Sequence, residues 1–582
     1  MVENVLFSPM KVLQHSLAYK DEGKQLTRNT LLTLCLLVCT LAVQAQSWLN
    51  TLRNDPIIDS VVVVASDKGW ADYLNMQSFH IYYHQPLSHQ EPDGEQFQLR
   101  ATLVVRKNKS LVTTPMQVFI SGYDIHEYNW DNPSYYVGEG SANSDYFEIA
   151  NHLKANVLSV EHRYFDGSMP AKANQRMEYC TAEEAAADFH ALIEATKKVF
   201  RGKYVISGIS KGGTTTFLQH ALFPDDADLY VPYVAPLCDT PNDARTMQYY
   251  KANAWDEELR HRINAIQREM LANPDIYKQA SEWTEYYNPS WSTLQHKQKF
   301  LYNVGILDFE PHMHLSRDEA RDLLDKIDSM KALLMKHGYP ESYLWANMAF
   351  QGLLDPEACW QWLLDTPDTR AVGRCSVPPN RQEYKVPLPF TISSKDFDKT
   401  ITGYYYQAAH ELGNFGFDFH TVLDEDGYAV LADSLNTVWT QSGNHSLKLN
   451  MPYLKTVTYD PTLRNKVVEC TRQATKPIIF LFGGDDAWTG GALPDECYNN
   501  ETTFRLILPN QNHGASISQA SFADRSQAWS LINDALAGKL TNGINRGTPA
   551  PHHDTLYNLS GQRISTVQHG QLYIQHGKLY RK

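Results

Sequence analysis

The sequence predicts an α/β fold: a mainly parallel sheet covered by helices on both faces and split by one large helical insertion. Two observations predict the sheet and its interruption. Short apolar runs rich in β-branched residues alternate with segments of helical spacing between residues 78 and 239, and the same texture resumes at Pro477. Between them, from Thr240 to Lys455, helical periodicity and frequent Trp and Tyr replace the strand runs. A third observation locates the chemistry. Residues 204–217 read Tyr-Val-Ile-Ser-Gly-Ile-Ser-Lys-Gly-Gly-Thr-Thr-Thr-Phe, a strand that enters a G-x-S-x-G turn and leaves as a helix. Ser210 is therefore expected on a sharp elbow with its hydroxyl exposed, flanked by glycines because side chains there would strike the neighbouring strand and helix.

The elements follow in order. Residues 30–45 (TLLTLCLLVCTLAVQA) lie behind Lys20, Lys24 and Arg28 and end in small residues, so 1–45 reads as a secretory signal peptide, its apolar run short for a membrane span. Residues 46–239 would carry the first part of the sheet. Its strands are expected at 78–86 and 96–106, antiparallel about the turn Glu91-Pro92-Asp93-Gly94, and at 116–122, 155–163, 204–209 and 227–237, with an amphipathic helix over 182–200. Residues 240–455 form the insertion, or cap. Helices are expected there over 254–273, 316–337 and 341–364, lying over the carboxyl ends of the strands, where open α/β sheets bind ligands. Residues 456–538 complete the sheet through 477–485 and 504–508 and a helix over 519–537. A Gly, Asn and Pro-rich linker, 539–554, leads to a small β-type tail, 555–582, which resembles the C-terminal sorting tails of Gram-negative proteins exported through the type IX route. Signal and tail together imply a secreted, periplasmic or cell-surface location.

Composition excludes more than it assigns. A formal charge of −14 over 582 residues argues against nucleic acid, whose phosphates need clustered Lys and Arg, and suits a cationic ligand better. No further segment offers a transmembrane helix. Loss of the signal would leave Cys180, Cys238, Cys359, Cys375, Cys470 and Cys497. An even number in an exported chain suggests disulfides, with Cys359 and Cys375, which bracket a loop, the pair to expect. His312-Met-His314 and His552-His553 lack a carboxylate or Cys partner at metal spacing, and no phosphate-binding glycine loop appears. Neither a metal nor a cofactor is expected.

Ser210 needs a base and an acid, and the sheet supplies both at the ends of late strands. The strand at 477–485 delivers Asp485 and Asp486, and the strand at 504–508 runs into Pro509-Asn-Gln-Asn-His513-Gly514. Nucleophile, acid and His then stand in the chain order of an α/β-hydrolase. His513 would take the Ser210 proton and return it to the leaving amine, while the acid fixes its tautomer. The oxyanion hole would use the backbone N–H groups of Lys211, which follows the nucleophile, and of Tyr123, which follows Ser121-Gly122. The Lys211 side chain is expected in an ion pair at the sheet rim, and Glu161 in another with Arg163.

These residues carry a resemblance. Gly208-Ile-Ser-Lys-Gly-Gly213, Val160-Glu-His-Arg-Tyr-Phe165, Tyr404-Tyr-Tyr-Gln-Ala-Ala-His-Glu-Leu-Gly413 and Asp486-Ala-Trp488 resemble the secreted tripeptidyl aminopeptidases, serine peptidases of the PS-10 type. They are more distantly similar to lysosomal Pro-X carboxypeptidase and dipeptidyl peptidase II. The family's D-P-W acid motif falls on Asp486-Ala487-Trp488 and so selects Asp486 over Asp485, although Ala487 replaces the Pro. Its pattern also assigns Ser210 as nucleophile and His513 as base. The resemblance implies release of short peptides, commonly tripeptides, from polypeptides with a free amino terminus, often after Pro. Such an exopeptidase needs a carboxylate to hold the substrate's α-ammonium, and its distance from Ser210 would set product length. Glu127, Glu139 and Glu411 are the candidates. A carboxypeptidase, dipeptidyl peptidase or esterase on the same fold is the alternative, and a silent binding scaffold a third.

Overall fold

The computed structural model describes residues 48–65, 75–107, 109–125, 130–137, 147–287, 289–307, 314–336, 338, 340–352, 354, 401–423, 427–441, 448, 451 and 454–540, with four short strands between 556 and 581. The expected signal peptide, Glu127, Glu139, His312, His552, His553 and the pair Cys359 and Cys375 lie outside the described residues.

A nine-stranded sheet runs in the order β1-β2-β3-β5-β4-β6-β7-β8-β9. At one edge β1 (Ile58–Val63), β2 (Met76–Pro86) and β3 (Gln96–Arg106) are antiparallel, and β3 pairs antiparallel with β5 (Asn156–Val160). From there the sheet is parallel throughout: β5 with β4 (Met116–Ile120), then β6 (Tyr204–Ile209), β7 (Leu229–Tyr233), β8 (Ile478–Gly483) and β9 (Thr503–Leu508). Inner parallel strands are covered on both faces, so their sequences are near-continuous apolar runs; β7 and β8 are buried at every position. The edge strand β1 is the one member that the sequence reading did not anticipate. Val62 and Val63 at its end stay exposed, so it lacks the buried-run signature of the inner strands.

Helices sandwich the sheet. Between β4 and β9 the crossovers carry α1 (Glu148–Leu153), α2 (Ala182–Lys197) and α3 (Lys211–Leu222). Phe189 and Leu192 of α2 and Phe217 and Leu218 of α3 pack with Val118, Ile120 and Ile206 on one face. Ile149 of α1 packs with Val205, Val231 and Leu481 on the other, where Leu531 and Ile532 of the final helix join them.

β7 and β8 are neighbours in the sheet, yet residues 234–477 separate them in the chain. This stretch is helical: α4 (Arg245–Asn253), α5 (Glu257–Ala272), α6 (Pro274–Tyr287), α7 (Thr293–Gly305), α8 (Arg317–Lys336), α9 (Glu341–Gln351), α10 (Thr402–Gln407) and α11 (Ala429–Thr440). It has its own core around the fully buried Trp283, Trp345 and Trp439, and that core continues onto Ala487 and Trp488 at the end of β8. The cap is therefore seated on the loop that carries the candidate acid. α12 (Thr462–Arg472) leads back, with Leu463 and Val467 in the sheet's own core, and α13 (Phe522–Leu536) closes the second face. Four short antiparallel strands, β10 (Leu556–Tyr557), β11 (Arg563–Ile564), β12 (Leu572–Gln575) and β13 (Lys578–Arg581), form a separate sheet in the tail. Among the described residues no helix is long and apolar enough to cross a membrane.

The loop after β5 corrects one expectation. Glu161 and Arg163 do not pair with each other. Glu161 receives Nε and Nη2 of Arg100 at 2.8 and 2.7 Å, together with the Ile125 N–H and the Ser168 hydroxyl. Arg163, fully buried, grips Asp188 of α2 with two bonds of 2.6 and 2.7 Å and donates to the carbonyls of Pro86, Leu87 and Tyr179. A buried guanidinium needs a full set of acceptors, and the adjacent Glu161 is already saturated by Arg100. Replacing Asp188 by Asn strands that charge and is expected to cost about 3–5 kcal/mol. The exposed pair Lys197–Glu194 serves as control, since Glu194→Gln is expected to cost less than about 1 kcal/mol. Thermal or urea unfolding of the two variants checks the contrast, and similar losses would contradict it.

Candidate active site

Ser210 occupies the turn between β6 and α3 with φ 56° and ψ −121°. A non-glycine residue in this region is strained, on the order of 1–3 kcal/mol, and persists only where packing over-determines it. Here backbone presses on backbone. The Ser210 N–H donates to the Tyr233 carbonyl at 3.0 Å, and a Cβ on Gly212 would lie 2.3 Å from the Ile120 carbonyl oxygen. Glycine at 212 thus lets α3 sit directly on the end of β4. Although Ser210 stands at the N-cap of α3, its hydroxyl makes no capping bond.

That hydroxyl meets His513 instead. The Ser210 Oγ lies 2.9 Å from His513 Nε2, and His513 Nδ1 lies 2.8 Å from Asp486 Oδ2. With Nδ1–H donating to the carboxylate, Nε2 is left free to accept the Ser210 proton. Asp486 is fully buried, and its Oδ1 accepts the Trp488 N–H at 3.0 Å, so both oxygens are satisfied. The acid and base loops touch because residue 483 is glycine. A Cβ there would fall 2.4 Å from the carbonyl oxygens of both Gln511 and Asn512. The neighbouring Asp485 points elsewhere: it takes two bonds from Arg317 of α8, at 3.1 and 2.9 Å, and the Trp255 N–H. One acid of the pair orients the histidine and the other fastens the cap.

The oxyanion side differs from expectation. The Lys211 N–H opens α3, where first-turn N–H groups have no partner within the helix. The Tyr123 N–H is engaged within its own turn, donating to Ser121 Oγ at 3.2 Å, and it is the Tyr123 phenol that bonds the Ser210 hydroxyl. Burial pushes that phenol up to about 12, so it stays protonated. The Lys211 side chain makes no ion pair with a described carboxylate. Its Nζ, almost wholly buried, donates to the Gly122 carbonyl at 2.6 Å and lies 5.7 and 5.3 Å from the ring centres of Tyr123 and Phe165. Burial brings its pKa down to about 7.

Of the three proposed amine anchors, Glu411 is described. It is buried, its Oε1 accepts the Ala182 N–H at the start of α2 at 2.7 Å, and His410 stands beside its other oxygen. This carboxylate caps a helix and has no open face for a substrate amine. Glu148 was missed from sequence. Its carboxylate binds the Tyr233 hydroxyl at 2.7 Å and the N–H groups of Ile517 and Ser518 at 2.9 and 2.8 Å, tying the base loop to the strand end that holds Ser210. A lone Glu opening a short helix gives no local sign of this.

Among the described residues His190, Glu194 and Asp226 stand close enough to share a cation. Lys197 already bonds Glu194 there, and Asp226 is bonded by His190 and Gln219, at the end of the sheet away from Ser210.

The arrangement can perform acyl transfer, with Ser210 as nucleophile, His513 as proton carrier and Asp486 as its orienting anion. Asp486→Asn, which allows the wrong histidine tautomer, is expected to lower kcat about 10⁴-fold. Asp485→Asn weakens a partly exposed pair with Arg317 and is expected to change kcat less than about tenfold. Steady-state kinetics on any substrate that the protein turns over separates the two; equal effects would reverse the assignment.

Comparison with known proteins places this geometry. Residues 60–286 match the family model of the PS-10 peptidase, S37. Over 467 residues the chain is 24% identical to the prolyl tri/tetrapeptidyl aminopeptidase of Streptomyces mobaraensis, covering 77% of this chain and 78% of that one. Among solved structures, the proline iminopeptidase of Mycobacterium smegmatis overlays 82% of this chain and all of its own, at 11% identity and a TM-score of 0.31. Prolyl oligopeptidase B from Galerina marginata overlays 28% of this chain and 22% of its own, at 15% identity and a TM-score of 0.20. These overlays are loose, and the fold rests on the strand order and the elbow described above. On that α/β-hydrolase fold, the chain is similar to the PS-10 serine peptidases of family S37, the resemblance that its motifs carry.

Proposed function

We propose that this protein is an exported serine exopeptidase that releases tripeptides, or similarly short peptides, from the free amino terminus of polypeptides, with Pro favoured at P1. The observation that carries the proposal is the Ser210–His513–Asp486 hydrogen-bond chain beneath a helical cap seated on the acid loop. Similarity to a prolyl tri/tetrapeptidyl aminopeptidase supports the substrate class. The apolar segment at 30–45 behind basic residues supports export.

In this mechanism the Ser210 Oγ attacks the scissile carbonyl carbon while its proton passes to His513 Nε2. The carbonyl oxygen becomes an oxyanion held by N–H donors at the start of α3. Collapse breaks the C–N bond, His513 returns the proton to the departing amine, and water, activated by the same imidazole, hydrolyses the acyl-enzyme. Asp486 stays ionised and stabilises the imidazolium. A cap over the strand ends limits access to chain termini. An anion facing the substrate ammonium would count residues from the amino end, and with Glu411 committed to α2, Glu127 and Glu139 in the loops after β4 take that role in the proposal.

Offered one proline-containing peptide with a free or an acetylated amino terminus, the protein is expected to release a short N-terminal fragment from the first and to leave the second intact, as read by mass spectrometry. Equal cleavage of both would exclude the exopeptidase reading and favour an endopeptidase or general hydrolase. Ser210→Ala is expected to lower hydrolysis by about 10⁶-fold at unchanged melting temperature.

A further inference from the structure

The buried Lys211 side chain and the Tyr123 phenol are accounted for by neither the proton relay nor the fold. Lys211 follows the nucleophile, and its helix position directs Nζ toward the turn after β4, where it holds the Gly122 carbonyl at 2.6 Å. In a trans peptide the carbonyl and the next N–H point in opposite directions. The far side of the Gly122–Tyr123 peptide is held as well, because the Tyr123 N–H donates to Ser121 Oγ. The peptide that sequence reading expected to supply the second oxyanion donor is therefore pinned at both ends within its own turn. What Tyr123 offers to Ser210 is its hydroxyl. Its ring is fixed by Phe165 at 5.8 Å, by Tyr404 at 5.7 Å and by the Lys211 ammonium over its face.

We propose that the second oxyanion donor is the phenol of Tyr123, and that the Lys211 side chain is the positioning residue that holds it there. The proposal rests on Ser210 being the nucleophile, but not on any particular peptide specificity. In the resting site the phenol donates to Ser210 Oγ while the Ser210 hydroxyl donates to His513 Nε2. When Oγ bonds to the carbonyl carbon its proton moves to His513, and negative charge appears on the former carbonyl oxygen beside it. The phenol O–H turns to that oxygen, opposite the Lys211 N–H, and keeps its own proton throughout. A phenol whose pKa is pushed up to about 12 by burial gives no proton away at neutral pH.

The groups facing Lys211 are the Cys180 thiol, the Glu411 carboxylate and the His162 imidazole. Burial holds the thiol protonated and the imidazole neutral, so Glu411 is the one anion of this set, itself committed to the α2 N-terminus. A buried ammonium with a pKa of about 7 is charged below that pH and loses its charge above it. Its hold on Gly122, and so on the phenol, weakens as pH rises through about 7.

The test uses the full-length protein with p-nitrophenyl acetate, which needs no peptide recognition, alongside an unblocked peptide. Tyr123→Phe is expected to lower kcat for both by about 10²-fold with KM within threefold, which is the signature of a donor used in the transition state. A loss smaller than fivefold, or one confined to KM, overturns the proposal. Lys211→Arg keeps a permanent positive charge and is the second arm. The fall in kcat above pH 7 expected of the unmodified protein should be absent from it, and an identical pH profile in the two proteins overturns the positioning role. Release of nitrophenol without any peptide cleavage would defeat the exopeptidase reading while leaving this proposal to be judged on the ester data.

Discussion

The contact on which the rest depends is backbone against backbone at the β6–α3 elbow. Ser210 holds a conformation that an L-residue disfavours, because its N–H is fixed on Tyr233 and its helix is pressed against the end of β4 through Gly212. Sheet and helix together supply the energy that keeps one residue strained. In return the hydroxyl is lifted off the helix N-terminus, where a serine would otherwise cap, and is handed to His513. The same strand end reaches the base loop through Tyr233, whose hydroxyl bonds Glu148, whose carboxylate in turn holds Ile517 and Ser518. Nucleophile and base are thus positioned from one place.

Two adjacent carboxylates divide the remaining labour. Asp486 is buried and saturated by His513 and Trp488, whereas Asp485 reaches out to Arg317 and Trp255. Since the cap's core also runs onto Trp488, cap position and histidine orientation are decided within a few residues of each other. An insertion so placed can shape access to Ser210 without contributing to its chemistry.

Much of this was legible in the sequence because the responsible physics is local. The inner strands are apolar runs on both faces, so 116–122, 204–209 and 477–485 announced β4, β6 and β8 to within a few residues. The elbow and the order of Ser210, Asp486 and His513 follow from strand ends and turn chemistry. What was not legible depends on partners distant in the chain. Glu161 looked like a partner for Arg163 two residues away, but Arg100 and Asp188 took the two charges. Glu411 looked free to meet a substrate and instead caps α2. Lys211 was expected at the rim in an ion pair, and it lies buried on a carbonyl. In each case the sequence shows a charged group but not which buried acceptor reaches it first. The edge strand β1 escaped for the opposite reason, since half-exposed strands carry little hydrophobic signal.

The central claim is that Ser210, alone among the chain's serines, is an activated nucleophile. Labelling the folded protein with a Ser-directed fluorophosphonate, followed by peptide mapping of the adduct, tests it most directly. The account predicts one phosphonyl group per chain, located on Ser210 and lost when His513 is replaced by Ala. An unlabelled protein, or an adduct on a different serine, would contradict it.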